Sequence, residues 1–186
     1  MSYRPNNSLS EEVLEHTKVN SAGCYQCGKC SAGCPLAEEM DYTSSMVMRM
    51  LQTEDKAIEK ELLKSQSIWL CSSCEMCISR CPMSIDIPKV MDYLRQKSVK
   101  EGLQNKTADK NIVAFHRSFL DMIQLTGRSY EPGMIMDYKL RSKDFFQDLT
   151  MAPKMFSRGK LPIFPESVKN RKNIQDIFKK SKKESI

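Results

Sequence analysis

The sequence predicts an all-α protein, and three observations predict it. Apolar residues recur at helical spacing in several windows, capping residues stand in front of those windows, and no apolar–polar alternation of five or more residues exists to make a strand. At 186 residues, with 40 % hydrophobic and 28 % charged content, the chain has the composition of an ordinary globular protein of one domain or one and a half.

The elements follow in order. Ser8 followed by Glu11 has the form of a capping box, which opens a short helix over 11–16. Thr43 and Ser44 are good N-caps for a helix carrying Met46, Val47, Met50 and Leu51. Ala57, Ile58, Leu62 and Leu63 repeat the pattern over 55–64. Asp86 caps a further helix with Pro88 in its first turn and Val90, Met91 and Leu94 on one side. The longest helix is expected over 108–126, with Ile112, Phe115, Phe119 and Ile123 as its stripe and Gly127 as its stop. Segments 144–149 and 170–183 are further candidates, and Leu161-Pro162-Ile163-Phe164-Pro165 is held extended by its prolines.

All eight cysteines lie in two tight runs. Cys24-x-x-Cys27-x-x-Cys30-x-x-x-Cys34-Pro35 recurs 47 positions later as Cys71-x-x-Cys74-x-x-Cys77-x-x-x-Cys81-Pro82, and the last 105 residues contain none. No apolar run is long enough to span a bilayer, and the polar N-terminus has no signal-peptide stretch. A cytoplasmic chain is expected, in a compartment that keeps thiols reduced, so disulfides are disfavoured.

C-x2-C-x2-C-x3-C-P is an iron–sulfur run. Three cysteines spaced by two residues wrap one cube, and the fourth, followed by proline, is turned away toward another. Two complete copies therefore predict two [4Fe–4S] clusters with crossed ligands. Cluster 1 takes Cys24, Cys27, Cys30 and Cys81; cluster 2 takes Cys71, Cys74, Cys77 and Cys34. Zinc would use CxxC pairs rather than triples. A catalytic CxxC is disfavoured because every such pair belongs to a complete cluster run. Gly23, Gly28 and Gly33 are expected to let the first run's backbone approach its cluster, whereas the second run has no glycine, so the two potentials should differ.

The 36 residues between Cys34 and Cys71 have room for two helices. That spacing resembles the α-helical ferredoxin domain of succinate dehydrogenase and fumarate reductase iron–sulfur subunits. The string from Cys24 to Pro35, the string Trp69-Leu70-Cys71-Ser72-Ser73-Cys74, and the Leu161–Pro165 string before a basic helix resemble the small iron–sulfur subunit of methanogen heterodisulfide reductases. The resemblance implies an electron-transfer subunit with no substrate site of its own. It would take electrons from a flavoprotein partner and pass them to a catalytic partner, which reduces the coenzyme M–coenzyme B heterodisulfide in methanogenesis. A hydrogenase or formate dehydrogenase would belong to the larger assembly. The alternatives are the iron–sulfur subunit of a succinate/fumarate, glycolate or glycerol-3-phosphate oxidoreductase, or a free two-cluster ferredoxin. No Cys-Cys-Gly, glycine-rich dinucleotide loop or catalytic pair stands in this chain, so no catalytic residue is assigned.

Three parts are expected: a lead-in over 1–20, an α-helical ferredoxin domain over 21–100, and a helical, partner-binding extension over 101–186. The whole formal charge of +6 lies in residues 158–186, which carry 9 basic and 3 acidic side chains. Only Phe164 and Phe178 stand among those charges, too few for a stacking platform, so nucleic acid is not an expected partner. His16 and His116 are read as packing or surface residues. Met46, Met48, Met50 and Met91 are read as core filling near the clusters. Trp69 is read as a shield for a cluster.

Overall fold

The computed structural model describes residues 8–104, 110–143, 155, 157–158 and 168–184. The described residues contain helices and turns and no strand, so the chain is all-α. It divides into two compact units, Met1–Asp109 and Lys110–Ser185.

Among its described residues the first unit holds seven α-helices: α1 (Leu9–Thr17), α2 (Lys29–Ala32), α3 (Ser44–Thr53), α4 (Lys56–Leu63), α5 (Ser67–Leu70), α6 (Met76–Arg80) and α7 (Ile87–Lys100). Local chemistry starts the longer ones. The Ser8 hydroxyl accepts from Glu11 N–H at 3.3 Å while Glu11 accepts from Ser8 N–H at 3.2 Å, closing the capping box. Asp55 and Asp86 cap α4 and α7 through their carboxylates. The amphipathic faces of α1, α3, α4 and α7 then meet. Leu9, Val13, Val47, Met48, Leu51, Leu62, Val90, Met91 and Leu94 are buried together with Ile68 of α5. Met48 and Met91 are core residues as expected, but Met46 is exposed, because on α3 the inward face runs through Ser44, Val47, Met48 and Leu51.

Polar ties close this unit over long sequence separations. Buried Glu59 accepts from Leu9 N–H at 2.6 Å, tying α4 to the start of α1. Glu12 of α1 pairs with Lys97 of α7 and accepts from the Tyr93 hydroxyl at 3.0 Å. His16 stacks on the Tyr93 ring with centroids 5.1 Å apart, which is a packing role.

Asp41 organises the entry to α5. Its carboxylate accepts from Tyr42 N–H at 3.0 Å, from Gln66 and Ser67 N–H at 2.8 Å each, and from the Ser67 hydroxyl. Burial pushes this carboxyl up, but the bonds from Ser67, Gln66 and Tyr42 outweigh it and hold Asp41 below the usual carboxylate range. A depressed carboxyl contributes stability above its unfolded pKa, about 3.9, and loses it as pH falls through the lower folded value. Asp41→Asn is expected to cost about 1–2 kcal/mol at neutral pH, the upper part of the range for bonds to a charged group being screened at this surface position. In acid titrations followed by circular dichroism, the difference from wild type should shrink below about pH 4. A difference that stays constant down to about pH 2 would refute this role.

The second unit contains α8 (Lys110–Thr126), α9 (Glu131–Ser142) and α10 (Arg171–Glu184), with α8 packed on both others. Gly127 ends α8 at φ 86°, and its N–H donates to Ile123 O at 2.7 Å. The inward line of α8 differs from the expected stripe. It runs through Ala114, Ser118 and Thr126, while Phe115 and Phe119 are exposed. Small residues win that face because α9 approaches closely: a Cβ on Gly133 would stand 2.8 Å from the Met122 side chain. Arg141 of α9 pairs with Asp121 of α8 at 2.7 Å. The expected elements at 144–149 and 161–165 lie outside the described residues.

Candidate metal centres

The two cysteine runs fold as copies of one backbone path. In the first, Gln26 and Gly28 flank Cys27 with φ of 59° and 74°; in the second, Ser73 and Glu75 flank Cys74 with φ of 53° and 62°. Each path then enters a short helix, α2 or α6. The last cysteine of each run donates its N–H three residues back, Cys34 to Ser31 O at 3.1 Å and Cys81 to Ile78 O at 3.0 Å. The left-handed turn that Gly28 makes freely is made in the second copy by Glu75, at a steric cost of about 1 kcal/mol or more.

α2 and α6 pack on each other, and the repeat places Gly33 opposite its own counterpart, Arg80. A Cβ on Gly33 would collide with the Arg80 side chain. Gly33 lies against the end of the Arg80 side chain and borders neither cavity, and Gly23 sits in a 3₁₀ turn beside open space. Of the three glycines, Gly28 lines a site.

Two cavities flank this helix pair, of about 310 and 360 Å³ including their open mouths. The first is lined by Cys24, Cys27, Cys30 and Cys81, with Gly28, Met48 and Ile85 in its wall. The second is lined by Cys34, Cys71, Cys74 and Cys77, with Leu36, Met40 and Pro88. Ile87, buried in the first turn of α7, borders both. Trp69 is buried but borders neither, so its role is core packing. Sequence reasoning missed the residues that brace these sites. Gln52 of α3 donates its amide to Ser21 O at 2.9 Å and Cys24 O at 2.7 Å. Arg95 of α7 donates to Ile68 O and Cys71 O and pairs with Asp92 at 2.9 Å.

The donor sets fit cubanes. Each cavity offers four thiols and mostly apolar walls, and Ile85 N–H donates to Cys81 Sγ of the first at 3.4 Å. All eight cysteines are free of disulfides. Among the described residues no three Cys, His, Asp or Glu side chains converge on one point as a single tetrahedral ion requires. Burial and the neighbouring Cys71 push the Cys77 thiol up to about 11, and burial pushes Cys30 up as well. Loading these sites must therefore expel protons. Burial, a bond with Cys27 and the nearness of Cys81 and Cys24 raise the phenol of Tyr25, an exposed ring beside the thiols of the first cavity.

Residues 20–85 match the 4Fe–4S dicluster domain family. The chain is 34 % identical over 101 residues to the C-subunit, an iron–sulfur protein, of the CoB–CoM heterodisulfide reductase of Methanopyrus kandleri, covering 54 % of this chain and 51 % of that protein. It is 31 % identical over 96 residues to an iron–sulfur subunit of the corresponding reductase of Methanocaldococcus jannaschii, covering 50 % and 46 %. It is 28 % identical over 101 residues to the C-subunit of the H2:CoB–CoM heterodisulfide, ferredoxin reductase of Methanothermobacter thermautotrophicus, covering 51 % and 52 %. The chain spans about half the length of these curated relatives. Its dicluster domain and eight thiols hold two [4Fe–4S] clusters, the number that eight ligands complete.

Proposed function

We propose, for a chain that carries a 4Fe–4S dicluster domain and is homologous to the iron–sulfur subunit of heterodisulfide reductases, the role of relay between a flavoprotein and the catalytic partner that reduces the coenzyme M–coenzyme B heterodisulfide. Electron transfer within an oxidoreductase is the part common to its relatives' names and its cofactors. The observation that carries the relay reading is the pair of cavities back to back across Ile87, each lined by three thiols of one run and one of the other. Each cube, when bound, supplies a one-electron centre. The protein's own contribution is to hold the two sites adjacent, wall them with Met48, Ile85, Met40 and Leu36, and set their electrostatics. The ligand sets we assign are Cys24, Cys27, Cys30 and Cys81 for one cluster, and Cys71, Cys74, Cys77 and Cys34 for the other.

The extension over 101–186 is, in this reading, the partner-binding part of a cytoplasmic complex. No helix among the described residues is long and apolar enough to cross a membrane. Among the described residues of the second unit Ala114 is the one buried apolar side chain, while Leu125, Met136, Leu140 and Ile177 are more than half exposed. So much uncovered apolar surface on so small a core supports a protein partner. Full-length tagged chain recovered anaerobically from its native cells is expected to bring with it a flavoprotein and a Cys-Cys-Gly-rich protein, identified by mass spectrometry. Deleting 166–186 should reduce their recovery several-fold while both clusters remain. A monomer with two clusters and no partner would end the relay reading in favour of a free ferredoxin.

A further inference from the structure

The 47-residue repeat supplies an internal control: each position within one cysteine run has a counterpart in the other. Crossing of the runs puts Cys24, Cys27, Gly28, Cys30, Cys81 and Ile85 on the first site, and Cys71, Cys74, Glu75, Cys77, Cys34 and Leu36 on the second; Lys29 precedes Cys30 directly, and Glu38 and Glu39 follow Cys34 by four and five residues. At the turn after the middle cysteine the first site has Gly28 and the second has Glu75, which lines its cavity. One position on, the first has Lys29 and the second Met76. Four residues after the crossing cysteine the first has Ile85 and the second Glu38. At the next position both have acids, but Asp86 is paired with Lys89 at 2.9 Å, while Glu39 is exposed and pairs with no cation among the described residues. Glu38 and Glu75 are likewise exposed and unpaired among the described residues. Arg80 lies between the copies against Gly33 and serves neither site alone. Arg95 holds Cys71 O, but Asp92 offsets its charge at 2.9 Å.

The hydrogen bonds lean the same way. Ile85 N–H donates to Cys81 Sγ at 3.4 Å, and Glu38, its counterpart, makes no such bond to Cys34. Donors on sulfur and positive charge favour the reduced, more negative cluster; nearby unpaired carboxylates oppose it.

We propose that the two sites are poised unequally: the site of Cys71, Cys74, Cys77 and Cys34 is held at the lower reduction potential by Glu38, Glu39 and Glu75, and the site of Cys24, Cys27, Cys30 and Cys81 at the higher by Ile85 N–H and Lys29. Resting on the relay reading, this polarity makes the second site the one that faces the donor and the first the one that faces the acceptor. The order of potentials itself belongs to the isolated chain and holds whatever its partners are.

Anaerobically reconstituted full-length protein is titrated with low-potential mediators at low salt and followed by EPR. Two separated midpoints are expected. Glu75→Gln should raise the lower midpoint and leave the upper in place, the triple change Glu38→Gln, Glu39→Gln, Glu75→Gln should raise it further, and high salt should shrink both shifts. Lys29→Gln should lower the upper midpoint only. Cys34→Ser should perturb the low-potential signal and Cys81→Ser the high-potential one. Coincident midpoints, a lower midpoint that follows Cys81→Ser, or equal movement of both midpoints in Glu75→Gln would overturn the assignment. None of these readouts involves a partner, so failure here is distinct from failure of the relay reading.

Discussion

Cys34→Ser is expected to remove the cubane of Cys71, Cys74 and Cys77 while leaving the cubane next to Cys34 in the sequence intact. The reason is the crossing. Cys34 closes the first run in the chain, but its side chain lines the cavity of the second run, with Cys71, Cys74 and Cys77. Iron should fall from about eight to about four atoms per chain, and one of two EPR signals should disappear. Cys81→Ser should give the reciprocal result, because Cys81 lines the cavity of Cys24, Cys27 and Cys30. Site loading is coupled to folding, so each variant also loses the stability that its missing cluster supplied. The spectroscopic identity of the surviving cube, not the total iron, is the decisive reading. If Cys34→Ser instead spared the second-run signal and abolished the first, ligation would be sequential along each run and the crossed assignment would be wrong.

What the sequence made legible was local. The Ser8–Glu11 box, the Asp86 cap and the Gly127 stop each act within four residues, and each was readable from spacing alone, whereas the Asp55 cap of α4 shows only in the structure. Helices α2, α5 and α6 were not readable, since four or five residues complete too little of a helical period to show one. α9 was missed although Pro132 stands in its first turn, where proline is welcome; Gly133 beside it reads as a breaker, and the closeness of the Tyr130 ring and the Met122 side chain explains it. The stripe on α8 was misread for a related reason. Which face of a helix is buried depends on how near its neighbour comes: Ala114 and Ser118 are buried, while Phe115 lies edge-on to Tyr138 of α9 at the exposed rim of the contact and Phe119 is exposed. The cysteine grouping stood out in the sequence because cluster chemistry imposes its own spacing. The braces around it did not, because Asp41 meets Ser67 across 26 residues and Arg95 meets Cys71 across 24.

Arg95→Met should be the most damaging single change to the second site outside its ligands. The guanidinium is mostly buried on α7 and satisfies two carbonyls, Ile68 O and Cys71 O, at the end of α5. Those carbonyls belong to the last turn of a helix only four residues long, so no intrahelical partner is available to either. A cation there also complements the negative end of the helix. Methionine keeps the aliphatic bulk but donates nothing, which leaves both carbonyls short of a donor next to the first ligand of the second run. At about 1–3 kcal/mol for each orphaned buried group, partly recovered where water reaches the gap, the expected loss is about 3 kcal/mol. The loss should be local first. Chelator challenge of reconstituted protein should strip the cubane of Cys71, Cys74 and Cys77 several-fold faster than in wild type, with the other cubane released at its usual rate. Arg95→Lys keeps the charge but not the planar fork, and should restore only part of the difference. Equal acceleration at both sites would mean that Arg95 supports the helical shell in general and does not position Cys71.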